Sequence, residues 1–135
     1  MSKDGKTSFK NKRNKWITSI ASRNDAQHYR AISDLIITGS GTLMHDNPSL
    51  NVRNKKIVKT KGFNQPHKAV LINSSNDLTG MKFFQDKTKK IIFTTQGKKF
   101  DGLKKMSNTE ISFLKEKGLK VDLKDLASHL NKSNY

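Results

Sequence analysis

Cysteine is absent from the 135 residues, which excludes a disulfide framework, a thiolate metal site and a cysteine nucleophile. Long apolar runs are absent as well. None approaches the roughly 18 residues of a membrane span and no signal peptide opens the chain, so a cytoplasmic protein is expected. Acidic residues are scarce, 11 Asp and Glu against 27 Lys and Arg, for a formal charge of +16. Arginine is scarcer still, with 4 residues against 23 lysines. Clustered cations neutralise phosphates and release counterions, so the charge alone suggests a nucleic-acid partner. The make-up of the charge argues against it, because base and phosphate recognition favours the bidentate guanidinium. Lysines instead are spread along the chain among 12 Asn. A small basic nucleic-acid-binding protein stands only as the alternative reading. Hydrophobic residues, at 33%, are few for a globular fold, yet the length suffices for one domain with a core.

Along the chain, residues 1–15 hold six basic residues against Asp4 and read as a turn at Asp4-Gly5 followed by a basic loop. Thr18 and Ser19 are candidate N-caps for a helix over residues 19–32. Residues 34–38 read as a short buried strand. Gly39-Ser-Gly-Thr42 makes a small-residue turn, and Leu43-Met44 can begin a short helix. Residues 46–67 form a long polar loop punctuated by Pro48, Gly62 and Pro66, of the kind that is functional or mobile. Residues 69–72 and 91–94 are two further apolar strands. Residues 107–117 read as a helix ending at Gly118, and residues 119–121 as a weak fourth strand. Asp122 caps a last helix over 123–130, and residues 131–135 are a polar tail. Strands alternating with helices indicate an α/β domain with a mostly parallel sheet flanked by helices. Four short strands with so few helices is a thin supply, and the fold is expected to be incomplete.

Few residues announce chemistry on their own. His28, His45, His67 and His129 have no metal-ligand spacing, and scattered loop or surface histidines are the simpler reading. No GxSxG nucleophile turn is present. Gly39-Ser-Gly-Thr42 follows a strand and offers amides to a phosphate, but any tight strand-to-helix turn wants small residues. Arg30 and Arg53 stand out in a chain that otherwise uses lysine. Their forks suit a phosphate or carboxylate, and equally a surface ion pair.

The combination is more specific than its parts. Ser2-Lys-Asp4-Gly5-Lys6-Thr7 is similar to a Ser-Leu-Asp-Gly-Lys-Thr run. Trp16-Ile-Thr18-Ser19 follows, then Arg30-Ala31 at the end of the first helix. Thr42-Leu-Met-His-Asp46-Asn47-Pro48-Ser-Leu50-Asn-Val52-Arg53 matches the pattern Thr-x-x-x-Asp-[Asp/Asn]-Pro-x-Leu-x-x-Arg. In this register, without a gap from Ser2 to Arg53, the chain resembles the reductase half of the bifunctional riboflavin-biosynthesis deaminase/reductase. That family has a dihydrofolate-reductase-like fold and reduces 5-amino-6-(5-phosphoribosylamino)uracil with NADPH.

The resemblance implies roles position by position. Trp16, Thr42, Asp46 and Ser74 match NADP-contacting positions. Arg30, Leu50 and Arg53 match substrate positions, and Asn14 stands where the family places a substrate-contacting serine. Lys3 replaces the usual leucine beside Asp4. No residue is assigned as general acid or other catalytic group, and no metal is implied. The partners implied are the phosphorylated pyrimidine and a second copy of the chain in a homodimer, or a complementing chain if the gene is split. The family continues into a glycine loop for the cofactor pyrophosphate, begins with a lysine-bearing strand, and carries a zinc deaminase half. None of these is found in the sequence, so residues 1–135 are expected to form a partial reductase domain, incomplete at both ends, with weak or no activity alone.

Overall fold

The computed structural model of the chain describes residues 18–72, 78–95, 102, 106, 108–118 and 120–135. The first helix, α1 (Ile20–Ala31), starts where the Ser19 hydroxyl accepts the Ser22 amide at 3.1 Å. It buries none of its residues, and Ile20, Tyr29 and Ile32 remain exposed. Its ties to the rest of the fold are polar, as described below. The chain then enters β1 (Leu35–Gly39) and passes directly into α2 (Ser40–Asp46), whose Leu43 is fully buried.

Within the long segment after α2, Asn54 caps one helical turn, α3 (Lys55–Val58), through the Lys56 amide at 3.0 Å. The strands β2 (His67–Leu71), β3 (Lys90–Thr95) and β4 (Thr109–Leu114) complete a four-stranded sheet in the order β1-β2-β3-β4, parallel throughout. All six residues of β3 are buried, as a central strand covered on both faces requires.

Side chains alternate across the sheet and feed two cores. On one face Val70, Ile72 and Ile92 meet Leu43 of α2, with Leu78, Phe83 and Phe84 from the segment joining β2 to β3. On the other, Ala69, Ile91, Phe93 and Leu114 meet Leu126 of the last helix, α4 (Leu123–Lys132). Asp122 caps α4 through the Lys124 amide at 2.9 Å. The helix continues through residues 131–132, and Tyr135 returns to the second core, its hydroxyl 2.5 Å from Nδ1 of His67.

The α/β class and the parallel sheet stand as expected, and β1, β2, β3 and both terminal helices fall within two residues of their expected limits. Two expectations are corrected. Residues 109–114 form the fourth strand of the sheet instead of a helix. The sequence Thr-Glu-Ile-Ser-Phe-Leu alternates faces with period two, burying Ser112 and Leu114 against α4 while Ile111 packs on the opposite core. Its end at Gly118 is a turn with φ 58°, joining β5 (Glu116–Lys117) to β6 (Lys120–Val121) in a two-stranded antiparallel hairpin. The weak strand near 119–121 therefore belongs to that hairpin and not to the main sheet.

Candidate functional site

The carboxyl end of β1 is where an open parallel sheet exposes backbone to a ligand. Here the chain turns at once into α2. Among the described residues, a Cβ built on Gly39 or Gly41 would meet nothing within 4 Å. Thr42 and Asp46 stand one helical turn apart on α2 and both are exposed. One oxygen of Asp46 is 2.8 Å from Nδ1 of His45.

α2 ends on Asn47, held left-handed at φ 44° with its amide on the Leu43 carbonyl at 3.0 Å. Asparagine tolerates this conformation better than most residues. Its Oδ1 accepts the Lys82 amide at 2.8 Å, tying the end of α2 to the segment that follows β2. Leu50 is left-handed too, at φ 56°, with its side chain against the first core. Strain of this kind persists only where the surroundings over-determine the backbone.

Those surroundings are specific. Gln65 clasps Val52 on both sides, its Oε1 accepting the Val52 amide at 2.8 Å and its Nε2 donating to the Val52 carbonyl at 2.9 Å. Gln27 of α1 accepts the Arg53 amide at 2.6 Å. Arg30, one turn along the same helix, donates to the Asn51 carbonyl at 3.4 Å. The loop from Asn47 to Arg53 is thus anchored to three separate parts of the fold.

The result places Arg53 close enough for its charge to act on Arg30. Burial lowers the Arg30 pKa from its ordinary value, and the nearby Arg53 charge lowers it further. Among the described residues no carboxylate pairs with either arginine. Two guanidiniums in one neighbourhood, with no carboxylate on either among the described residues, offer their forks to an anion.

A second charged cluster has a structural role. Lys68 and Lys90, on neighbouring strands and both fully buried, converge on Asp86. Lys68 Nζ bonds one carboxylate oxygen. Lys90 Nζ lies 3.1 Å from the other and also bonds the Asp86 carbonyl. The Thr88 hydroxyl and amide reach the same oxygen at 2.5 and 3.1 Å. Burial works to raise the Asp86 pKa, but the bonds from Lys68, Thr88 and Lys90 outweigh it and hold the carboxyl below the usual carboxylate range. Burial pushes Lys68 down, partly offset by Asp86.

Of the residues singled out in the sequence, Arg30, Leu50 and Arg53 gather around one loop, and Thr42 and Asp46 lie on the helix that leads into it. Asn14, Trp16 and Ser74 lie outside the described residues. His67 pairs with Tyr135 and His129 lies 3.1 Å from the Ser112 hydroxyl. Among the described residues no group of three His, Cys, Asp or Glu could hold a metal, and no helix is long and apolar enough to cross a membrane. Gln27 and Gln65 were not visible as site residues, because glutamine in a loop or on a helix surface carries no periodic or motif signal. The buried Lys68 and Lys90 were missed because lysine at a strand start reads as solvated.

The parallel four-stranded sheet, with α2 following directly on its first strand and the second core closed by α4, defines an α/β domain. The chain belongs to the RibD C-terminal domain family, whose model matches residues 1–135. It is 43% identical over 84 residues to the riboflavin biosynthesis protein RibD of Buchnera aphidicola subsp. Baizongia pistaciae, which is 56% of this chain and 23% of that protein. It is 41% identical over 75 residues to the 5-amino-6-(5-phosphoribosylamino)uracil reductase of Buchnera aphidicola subsp. Acyrthosiphon pisum, which is 50% of this chain and 36% of that protein. Among solved structures, Acinetobacter baumannii RibD superposes with a TM-score of 0.78 at 27% identity, over 98% of this chain and 35% of that one. Saccharomyces cerevisiae Rib7 shares the fold, with a TM-score of 0.64 at 21% identity, over 86% of this chain and 50% of that one. The chain therefore spans about a quarter to a third of the length of the two Buchnera relatives.

Proposed function

We propose that this chain carries the substrate loop and part of the cofactor site of a 5-amino-6-(5-phosphoribosylamino)uracil reductase of riboflavin biosynthesis, with NADPH as the reductant. The observation that carries the proposal is the loop from Asn47 to Arg53, fixed from three sides so that the Arg53 charge acts on Arg30, with no carboxylate paired to either arginine among the described residues. A phosphoribosyl group supplies the doubly charged anion such a pair needs. Leu50, partly buried with its side chain on the first core, would reach the pyrimidine only with the part that the core leaves uncovered.

The residues of α2 fit a nicotinamide dinucleotide. Thr42 can donate and accept, the Asp46 carboxylate accepts from ribose hydroxyls, and Gly39 and Gly41, with no described atom where a Cβ would meet it, admit a ligand close to the backbone. A carboxylate would repel a phosphate, so Asp46 suits a sugar hydroxyl or an amide. The cofactor, when bound, supplies the hydride, so the protein has mainly to bind and orient. For the reduction the ribosyl ring opens to its imine, the C1′–O4′ bond breaking as O4′ takes up the proton that the nitrogen loses. A hydride would then add at C1′ and a proton at the nitrogen, the C=N π bond giving way to the new C–H and N–H bonds. Arg30 and Arg53 fix the far end of that chain, and α2 faces the donor side.

The same reading assigns a cytoplasmic setting and, as partner, a second copy or a complementing chain. The nucleic-acid alternative finds no support among the relatives. The test is a pair of equilibrium titrations, NADPH by fluorescence and substrate by calorimetry. T42A and D46A are expected to weaken NADPH alone, R30Q and R53Q the substrate alone. Equal effects of all four on both ligands would contradict the division of the site.

A further inference from the structure

We propose that Gln27 and Gln65 are positioning residues that hold the two arginines in register for a phosphate, an inference that rests on the anion site proposed above. The Arg53 charge acts on Arg30, and like charges repel, so the Arg53 segment gains nothing from lying near Arg30 until an anion binds. Something must hold it there. Arg53 cannot do so through packing, because it is exposed. Its anchor among the described residues is its own amide, bonded to Gln27 Oε1 at 2.6 Å.

Gln27 and Arg30 lie three residues apart on α1 and therefore share a face of that helix. One helix face thus presents one guanidinium directly and captures the backbone that carries the other. Gln65 completes the clamp one residue earlier. It takes both the amide and the carbonyl of Val52, as a neighbouring strand would, although residues 51–54 belong to no strand. Val52 is buried, so without Gln65 both of its backbone groups would lose the partners they have among the described residues. The left-handed Leu50 two residues before shows that the loop does not settle into this path by its own preferences. Gln65 lies just before β2 and Gln27 within α1, so the clamp ties the loop to both the sheet and the helix. The arginines are preorganised in this way, and the ligand need not bear the ordering cost.

The experiment is calorimetric titration of the full chain with ribose 5-phosphate, in wild type, Q27M, Q65M, R53Q and the double variant Q27M/R53Q. Methionine keeps the length and apolar volume of glutamine and removes its hydrogen bonds. Loss of one such bond is expected to weaken ribose 5-phosphate about tenfold in Q27M, and somewhat more in Q65M. In the R53Q background Q27M is expected to change affinity less than about twofold, because the side chain that Gln27 positions is gone. A merely structural role would give the same fold-loss in both backgrounds, and that result would overturn the proposal. Should Q65M fail to fold, Q27M, on the half-exposed face of α1, is sufficient by itself. Wild-type binding that both glutamine variants retain overturns this inference and leaves the anion site standing. No binding by wild type overturns both.

Discussion

Replacing Asp86 by asparagine should destabilise the fold more than any other single surface-reachable change. Asp86 neutralises part of the charge of two ammonium groups whose side chains are 0% and 1% exposed. Asparagine keeps an acceptor but removes the charge, leaving two buried cations without a counterion. Breaking a buried pair from one side costs about 3–5 kcal/mol. A domain of this size has only about 5–15 kcal/mol in all. The melting temperature is expected to fall by about 10–20 °C. Lys68→Met is the control. It removes one of two cations sharing a single carboxylate, and it places an apolar chain near the Phe83 ring, 5.9 Å from Nζ in the wild type. Lys90 still neutralises Asp86 one to one, so no buried charge is left uncompensated and K68M should stay within about 1 kcal/mol of wild type. Thermal melts followed by circular dichroism decide the matter. A K68M variant as unstable as D86N would refute the reasoning, since it would mean that lost contacts and not uncompensated charge set the cost.

Other outcomes follow from the same structure. Because the Asp86 pKa is depressed in the fold, its stabilising contribution is complete above the ordinary value of 3.8 and declines as pH falls below it. The stability gap between wild type and D86N should therefore be constant from pH 7 to 5 and shrink below pH 4, as read by urea denaturation across that range. Asp122→Ala removes the cap of α4 and should cost about 1 kcal/mol, visible as a lower urea midpoint at unchanged slope. Phe93→Ala opens a cavity in the central strand under α4 and should cost about 3–5 kcal/mol by the same assay.

The strands β1, β2 and β3 were legible because each is a short apolar run bounded by turn residues, and both helix caps were legible because Ser19 and Asp122 are strong cap formers. Residues 109–114 were read as helix because local composition does not reveal that β3 needs a partner along its far edge. Tertiary pairing overrode propensity there. Arg30 and Arg53 were conspicuous in a lysine-rich chain, yet their convergence depends on contacts between residues 27 and 53 and between 52 and 65. Separations of that kind leave no periodic trace. The buried Lys68–Asp86–Lys90 cluster was invisible for the same reason, since each lysine alone resembles the many solvated ones.

The central claim is that the arginine pair receives the phosphate of the phosphoribosylaminouracil. It is tested most directly by comparing the affinity of the chain for 5-amino-6-(5-phosphoribosylamino)uracil with that for the same molecule lacking its phosphate. Two charge-assisted contacts predict that the phosphorylated ligand binds at least about 100-fold more tightly, with the preference largely abolished in the R30Q/R53Q double variant. Equal affinity for the two ligands in the wild type would contradict the account.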